Sequence, residues 1–265
     1  PYDQCIDFER DDDYLVFGGD VWDQGGSDLF VIRQLLSLRK RYPDRVFFVL
    51  GNRDLNKMRF CQELTDDQHL GVYFMRGTGK MGDPDLGAMP SLRPTERLQW
   101  ILKYTMGSPR AFDHRKQELE AERAAAGQYD PVCDEDVVES YRASCDPFTG
   151  ELAEFLESSC LLLRLGEAAF MHGALPLTQP HLEAADGSLW DDMTFAMPWL
   201  ERGVTARDVG VETIDDWNAA LNDFCRRNVE GFRTQESDGI WARFGGYNLQ
   251  PKDTQPFGPL MQYGT

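Results

Sequence analysis

Histidine is scarce, with four in 265 residues, and the six cysteines never fall in a Cys-x-x-Cys pair. The missing pair excludes the cysteine spacings of zinc ribbons and thioredoxin-like redox motifs, and the irregular scatter gives no disulfide framework. No apolar run approaches the ~18 residues that a membrane-spanning helix needs, and no charged start leads into the apolar stretch of a signal peptide. Basic charge is short too: 27 Lys and Arg stand against 45 Asp and Glu, a net charge of −18. That field opposes nucleic acid and anionic membrane surfaces, so neither is an expected partner. The expected setting is reducing, intracellular and cytoplasmic. A phosphorylated substrate would need a locally positive site, which bound divalent cations can supply in an acidic protein.

What is present suits one large domain, or one domain carrying an insertion: 42% of residues are hydrophobic and 12% aromatic. Tyr14-Leu-Val-Phe-Gly-Gly19 is a short apolar run that stops at glycine and then at Asp20, as a buried strand does when it delivers a side chain at its carboxyl end. From Ser27 to Arg41, Phe30, Val31, Leu35 and Leu38 recur at helical spacing, with Ser27 and Asp28 placed to start the helix. Arg45-Val-Phe-Phe-Val-Leu50 reads as a second buried strand, closed by Gly51. Together they predict a βαβ unit with parallel strands and a right-handed crossover. Ligands gather beyond the carboxyl ends of such strands, where Asp20 and Asn52 both stand.

Further along, Leu55 to Leu64 predicts a helix and residues 70–95 a long glycine- and proline-bearing loop. Helical segments are expected near 96–106, 112–126, 134–144 and 149–158. A mostly helical insertion over 65–158, lying across one rim of the site, accounts for this stretch. Leu161–Leu165 and Glu167–Met171 read as two short strands joined at Gly166, the second delivering His172; Trp217–Phe232 reads as a helix and Gly245–Thr265 as an irregular tail.

Three short pieces carry chemistry: Gly18-Gly-Asp20, Gly51-Asn52 and Met171-His-Gly173. A two-metal hydrolase needs an anionic oxygen to bridge its ions and neutral oxygen and nitrogen ligands beside it, so that the cluster stays a Lewis acid. Asp20, Asn52 and His172 supply those donor types, each after a strand and next to glycine. Gly19-Asp-Val-Trp-Asp-Gln-Gly25 resembles the Gly-Asp-x-x-Asp-Arg-Gly motif of calcineurin-like metallophosphoesterases, the superfamily that includes the Ser/Thr protein phosphatases. Gly51-Asn-Arg-Asp54 is similar to their Gly-Asn-His-Glu/Asp, and His172-Gly173 to their His-Gly, in the family's order.

The resemblance covers residues 14–60 and 160–176 best. It implies an α/β fold with a central metallophosphoesterase-type β-sandwich flanked by helices, and two divalent metal ions, for which Mn, Fe and Zn all suit the donors. By position, Asp20 would bridge the metals, Asn52 and His172 would bind the second, and Asp23 would be the supporting catalytic carboxylate. Arginine stands at position 53 where the family has histidine, and Gln24 where it has a phosphate-binding arginine. Arg53 is expected to pair with Asp23 and to contact phosphate, while its high pKa bars it from general-acid work. The leaving group would then take its proton from water or another side chain.

The family's acidic-His motif before Gly-Asp, and its Gly-His motif after His-Gly, do not stand in this sequence. The expectation is a single domain, 1–265, incomplete at both ends. Asp11-Asp-Asp13 is read as a solvated acidic turn, and His69, His114 and His181 as surface or loop residues. Asp191 and Asp192 are read as a loop pair, Arg226, Arg227 and Arg233 as a solvated helix face, and Trp241–Phe244 as packing. The expected function is hydrolysis of a phosphate ester, on a phosphoprotein or a small molecule, by direct attack of metal-bound hydroxide. The alternative is a catalytically degenerate phosphatase-fold module that binds a protein partner through the insertion. A nuclease would share the metal chemistry, and the acidic balance counts against it.

Overall fold

Leucine, valine and phenylalanine dominate Leu15–Phe17 and Val46–Val49, and both runs become strands, β1 and β2, of one parallel sheet. The computed structural model describes residues 6–58, 60–64, 93–173, 177–178, 194–195 and 207–234. Leu15 lies opposite Val46 and Phe17 opposite Phe48, with helix α1 (Asp28–Arg41) as the crossover, so the expected βαβ unit is present. After the short helices α2 (Asn52–Lys57) and α3 (Phe60–Glu63), the next strand of this sheet is β3 (Ser159–Cys160). It joins β2 in parallel, in the order β1-β2-β3. Two residues leave no periodicity to read, and β3 was not foreseen.

Helix α1 buries Leu29, Ile32, Leu35, Leu36 and Leu38 and leaves Val31 exposed, so its inner face is rotated from the expected Phe30, Val31, Leu35, Leu38 stripe. Its start also differs from expectation, because Ser27 makes no side-chain cap. The free N–H groups of Leu29 and Phe30 donate instead to the Glu118 carboxylate, at 3.1 and 2.8 Å. The helix expected over 55–64 is two helices, and α2 begins earlier, at Asn52, with Gly51 as its N-cap.

The stretch that follows is helical where the spacing predicted it: α4 (Pro94–Trp100) running into a π-helical turn (Ile101–Thr105), α5 (Ala111–Ala125), α6 (Asp134–Ser144) and α7 (Glu151–Glu157). Phe155 of α7 stacks on Phe48 at 5.0 Å and meets Phe17 edge-on at 6.2 Å, which seats this stretch on the sheet. Tyr141 of α6 meets Phe60 of α3 edge-on at 5.5 Å. Each such ring, fully buried, contributes about 1.5–3 kcal/mol.

Strands β4 (Leu162–Leu165) and β5 (Ala168–Met171) form the expected hairpin, with Gly166 at φ +59° in the turn and Leu162 opposite Met171. A second antiparallel pair joins β6 (Leu177–Thr178) to β7 (Thr194–Phe195). Helix α8 (Ile214–Thr234) buries Trp217, Leu221, Cys225 and Val229 at four-residue steps. The Asn222 side chain ties α8 to the hairpin, accepting from Leu161 N at 2.9 Å and donating to Leu162 O at 2.8 Å.

The architecture is thus mixed α/β. Among the described residues no helix is long and apolar enough to cross a membrane. Cys61, Cys133, Cys145, Cys160 and Cys225 are free thiols. The expected loop up to residue 92, the tail from 245, His69, His181, Asp191, Asp192 and Trp241–Phe244 lie outside the described residues, as does the side chain of Arg233.

Candidate functional site

Beyond β1 the chain turns through left-handed geometry, Gly19 at φ +91° and Asp20 at φ +56°. Among the described residues Asp20 is the one non-glycine with positive φ. Such a conformation costs an L-residue about 1–2 kcal/mol and persists where its surroundings hold it. Asp54 does the holding: its carboxylate accepts the N–H of Asp20 at 2.9 Å, of Val21 at 2.8 Å and of Gly51 at 2.9 Å. Asp20 Oδ1 in turn accepts Arg53 N at 2.9 Å. The β1 loop and the start of α2 are stitched together in both directions.

Glycine at 19 and 51 follows from this closeness. A Cβ on Gly51 would stand 2.2 Å from Asp20 N and 2.2 Å from Asp20 Oδ1, and one on Gly19 would stand 2.5 Å from Gly51 N. Two loops in backbone contact have no room for a methyl group. Asn52, the first residue of α2, is buried in this junction.

His172 arrives from the other sheet, at the end of β5. Its Nδ1 lies 2.7 Å from Gly18 O, and a carbonyl only accepts, so Nδ1 carries the hydrogen and the neutral ring keeps its lone pair on Nε2. Nε2 stands 3.4 Å from Asp20 Oδ2. The hydrogen bond with Asp20 raises the His172 pKa, and burial works against it. That hydrogen bond needs a proton on Nε2; with the ring neutral both atoms are acceptors, and a cation between them takes the proton's place. Ligand atoms ~2.0–2.1 Å from a tetrahedral ion lie about 3.3–3.4 Å apart, and ligating histidines use the other ring nitrogen to donate to a carbonyl, as His172 does. Asp20 and His172 therefore fit a divalent metal. Among the described residues no three His, Cys, Asp or Glu side chains gather at one point; the third expected donor, Asn52, is an amide.

Asp23 and Arg53 also come together, with Arg53 Nε 3.7 Å from Asp23 Oδ1. The same carboxylate oxygen accepts the Ser108 hydroxyl at 2.7 Å. His114, expected as a surface or loop residue, stands on α5 with Nδ1 2.9 Å from Gly25 O. Gln24 is exposed. Beneath the loop, the buried Lys57 ammonium donates to Trp22 O and, at 3.4 Å, to Arg53 O. Burial lowers its pKa, and Asp28, Asp54 and Asp23 oppose that. Burial and then the Asp20 carboxylate push Asp54 up to about 6, against the pull of its backbone donors and Lys57.

The sequence reading missed Asp54, Lys57 and Ser108. Asp54 had a signal, since an acidic residue three after the N-cap commonly accepts that residue's N–H. Ser108 had none. Arg226 and Arg227 of α8 pair with Asp223, Arg227 Nε at 3.0 Å, which agrees with a solvated helix face. Arg10 binds Asp13 at 3.0 Å in the exposed acidic turn. No family model, curated protein or solved structure matches this chain.

Proposed function

We propose that this chain is a metal-dependent phosphoesterase of the calcineurin-like kind, with the described sheets part of a metallophosphoesterase-type sandwich. The observation that carries the reading is the facing of His172 Nε2 and Asp20 Oδ2 at 3.4 Å, at the ends of strands from two different sheets. A pair of divalent ions, Mn, Fe or Zn, would be held by Asp20, Asn52 and His172. When bound, such ions acidify water and neutralise charge on a phosphoryl group.

The protein's own groups do the rest. Asp20 is held in a strained turn, so its carboxylate is fixed before any ligand arrives. Gly18 sets the tautomer of His172. Asp23 steadies the Arg53 guanidinium, which offers a permanent charge to phosphoryl oxygens, and the leaving group takes its proton from water or another side chain. A phosphoprotein or a small phosphate ester fits, and free thiols fit an intracellular setting.

The second reading, a phosphatase-fold module that binds a protein partner, draws on Gln24, which is uncharged where a phosphate-holding arginine would stand. To separate them, protein loaded with Mn, Zn or Fe is assayed for metal content and for turnover of an aryl phosphate, beside Asp20→Asn. Bound metal, with turnover falling about a hundredfold or more in Asp20→Asn, supports the enzyme. No metal and no turnover in the parent chain sinks it.

A further inference from the structure

Ser108 is buried, and its hydroxyl has one proton to donate. Asp23 Oδ1 at 2.7 Å receives it in preference to Met106 O at 3.3 Å. That carboxylate oxygen is also the one nearest Arg53 Nε. Beside it, Gly107 takes φ +68°, and a Cβ there would lie 3.6 Å from Arg53 Nη2, so this backbone runs along the guanidinium.

The loop is delivered by the π-helical turn Ile101–Thr105, where Met106 N bonds Ile101 O at 3.1 Å and Ser108 N bonds Leu102 O at 2.9 Å. Wide turns of this kind are uncommon and cluster at functional sites. The next helix, α5, grips the chain on the far side of Asp23, through His114 on Gly25 and Glu118 on Leu29 and Phe30. Asp23 thus sits in a segment pinned from the same helical stretch at several points.

We propose that Ser108 is a positioning residue: it fixes Asp23, and through Asp23 it orders Arg53 as the phosphate-contacting cation, which makes the loop Met106–Ser108 part of the substrate side of the site. The phosphate half of this statement rests on the phosphoesterase reading; the Ser108–Asp23–Arg53 coupling does not. Without Ser108 the Asp23 carboxylate is free to rotate, and the long Arg53 side chain faces an ion-pair partner that is no longer fixed.

The test is a double-mutant cycle with two readouts. Zinc-loaded protein is titrated with inorganic phosphate by calorimetry, and the Arg53 Nε–H signal of metal-free protein is followed by 15N NMR, assigned by its loss in Arg53→Lys. Ser108→Ala should weaken phosphate binding roughly fivefold while Arg53 is present and not further in Arg53→Ala, since residues acting through one another are non-additive. It should also speed exchange of the Arg53 Nε–H, and Ser108→Thr should restore both readouts. Asp23→Asn, expected to reproduce the loss, replaces Ser108→Ala if that variant does not fold. Equal weakening with and without Arg53, or an Arg53 signal indifferent to Ser108 and Asp23, overturns the proposal. If no variant and no parent protein binds phosphate but the Arg53 signal still follows Ser108, the coupling stands and the phosphoesterase reading falls.

Discussion

Replacing Asp54 with alanine takes the acceptor away from three backbone N–H groups at once, those of Asp20, Val21 and Gly51. Each buried donor left without a partner costs about 1–3 kcal/mol, so the gross loss is about 3–9 kcal/mol. A loss of about 3–9 kcal/mol is a large part of the 5–15 kcal/mol typical of a folded domain. Asp54→Asn keeps one carbonyl oxygen but turns an N–H₂ toward at least one backbone donor, so about 1–3 kcal/mol is expected. Urea unfolding followed by tryptophan fluorescence measures both, with the buried Trp22 next to the affected loop as the reporter. A loss below about 1 kcal/mol for alanine would be ordinary for a surface change and would refute the assigned role. Asparagine proving worse than alanine would refute it too, because the donors would then not be what Asp54 serves.

Asp28 supplies a pH test. Burial pushes its carboxyl up from 3.8 to about 6, so the folded chain binds that proton more tightly than the unfolded one. Its contribution is full below about pH 4 and is lost as pH rises to about 6, a fall of about 3 kcal/mol. Asp28→Asn should flatten that fall in urea-derived stabilities across the same range, and an unchanged slope counts against the burial argument. Two glycines give a steric contrast: Gly127→Ala, at φ +74° with nothing within 4 Å of the new methyl group, should cost only left-handed strain, about 1–2 kcal/mol. Gly51→Ala, with its methyl 2.2 Å from Asp20 N, should cost more than about 4 kcal/mol, and matching melting temperatures for the two variants would contradict the close-contact account.

Much of the framework was legible because its signals are local. The apolar runs of β1 and β2, the helical spacing between them and the glycines that end both strands needed only a short window of sequence. The same window placed Asp20, Asn52 and His172 at strand ends, and the fold brings His172 and Asp20 within 3.4 Å. It was less successful with the face of α1, where Phe30 and Val31 read as core and Leu29 and Ile32 proved to be. A run rich in apolar residues satisfies more than one helical stripe, and what packs against it decides between them.

By itself, then, the sequence determined where β1, β2, β4 and β5 run, where the longer helices lie and which oxygen and nitrogen donors follow those strands, since backbone preference and apolar period are properties of neighbours in the chain. Only the tertiary structure decided that Asp54 anchors the Asp20 turn from 34 residues away, that Glu118 rather than Ser27 caps α1, and that Ser108 reaches Asp23 across 85 residues. Hydrogen bonds over such separations depend on how the helical stretch closes over the sheet, and serine, glutamate and histidine at their own positions carry no local mark of the partners they will meet.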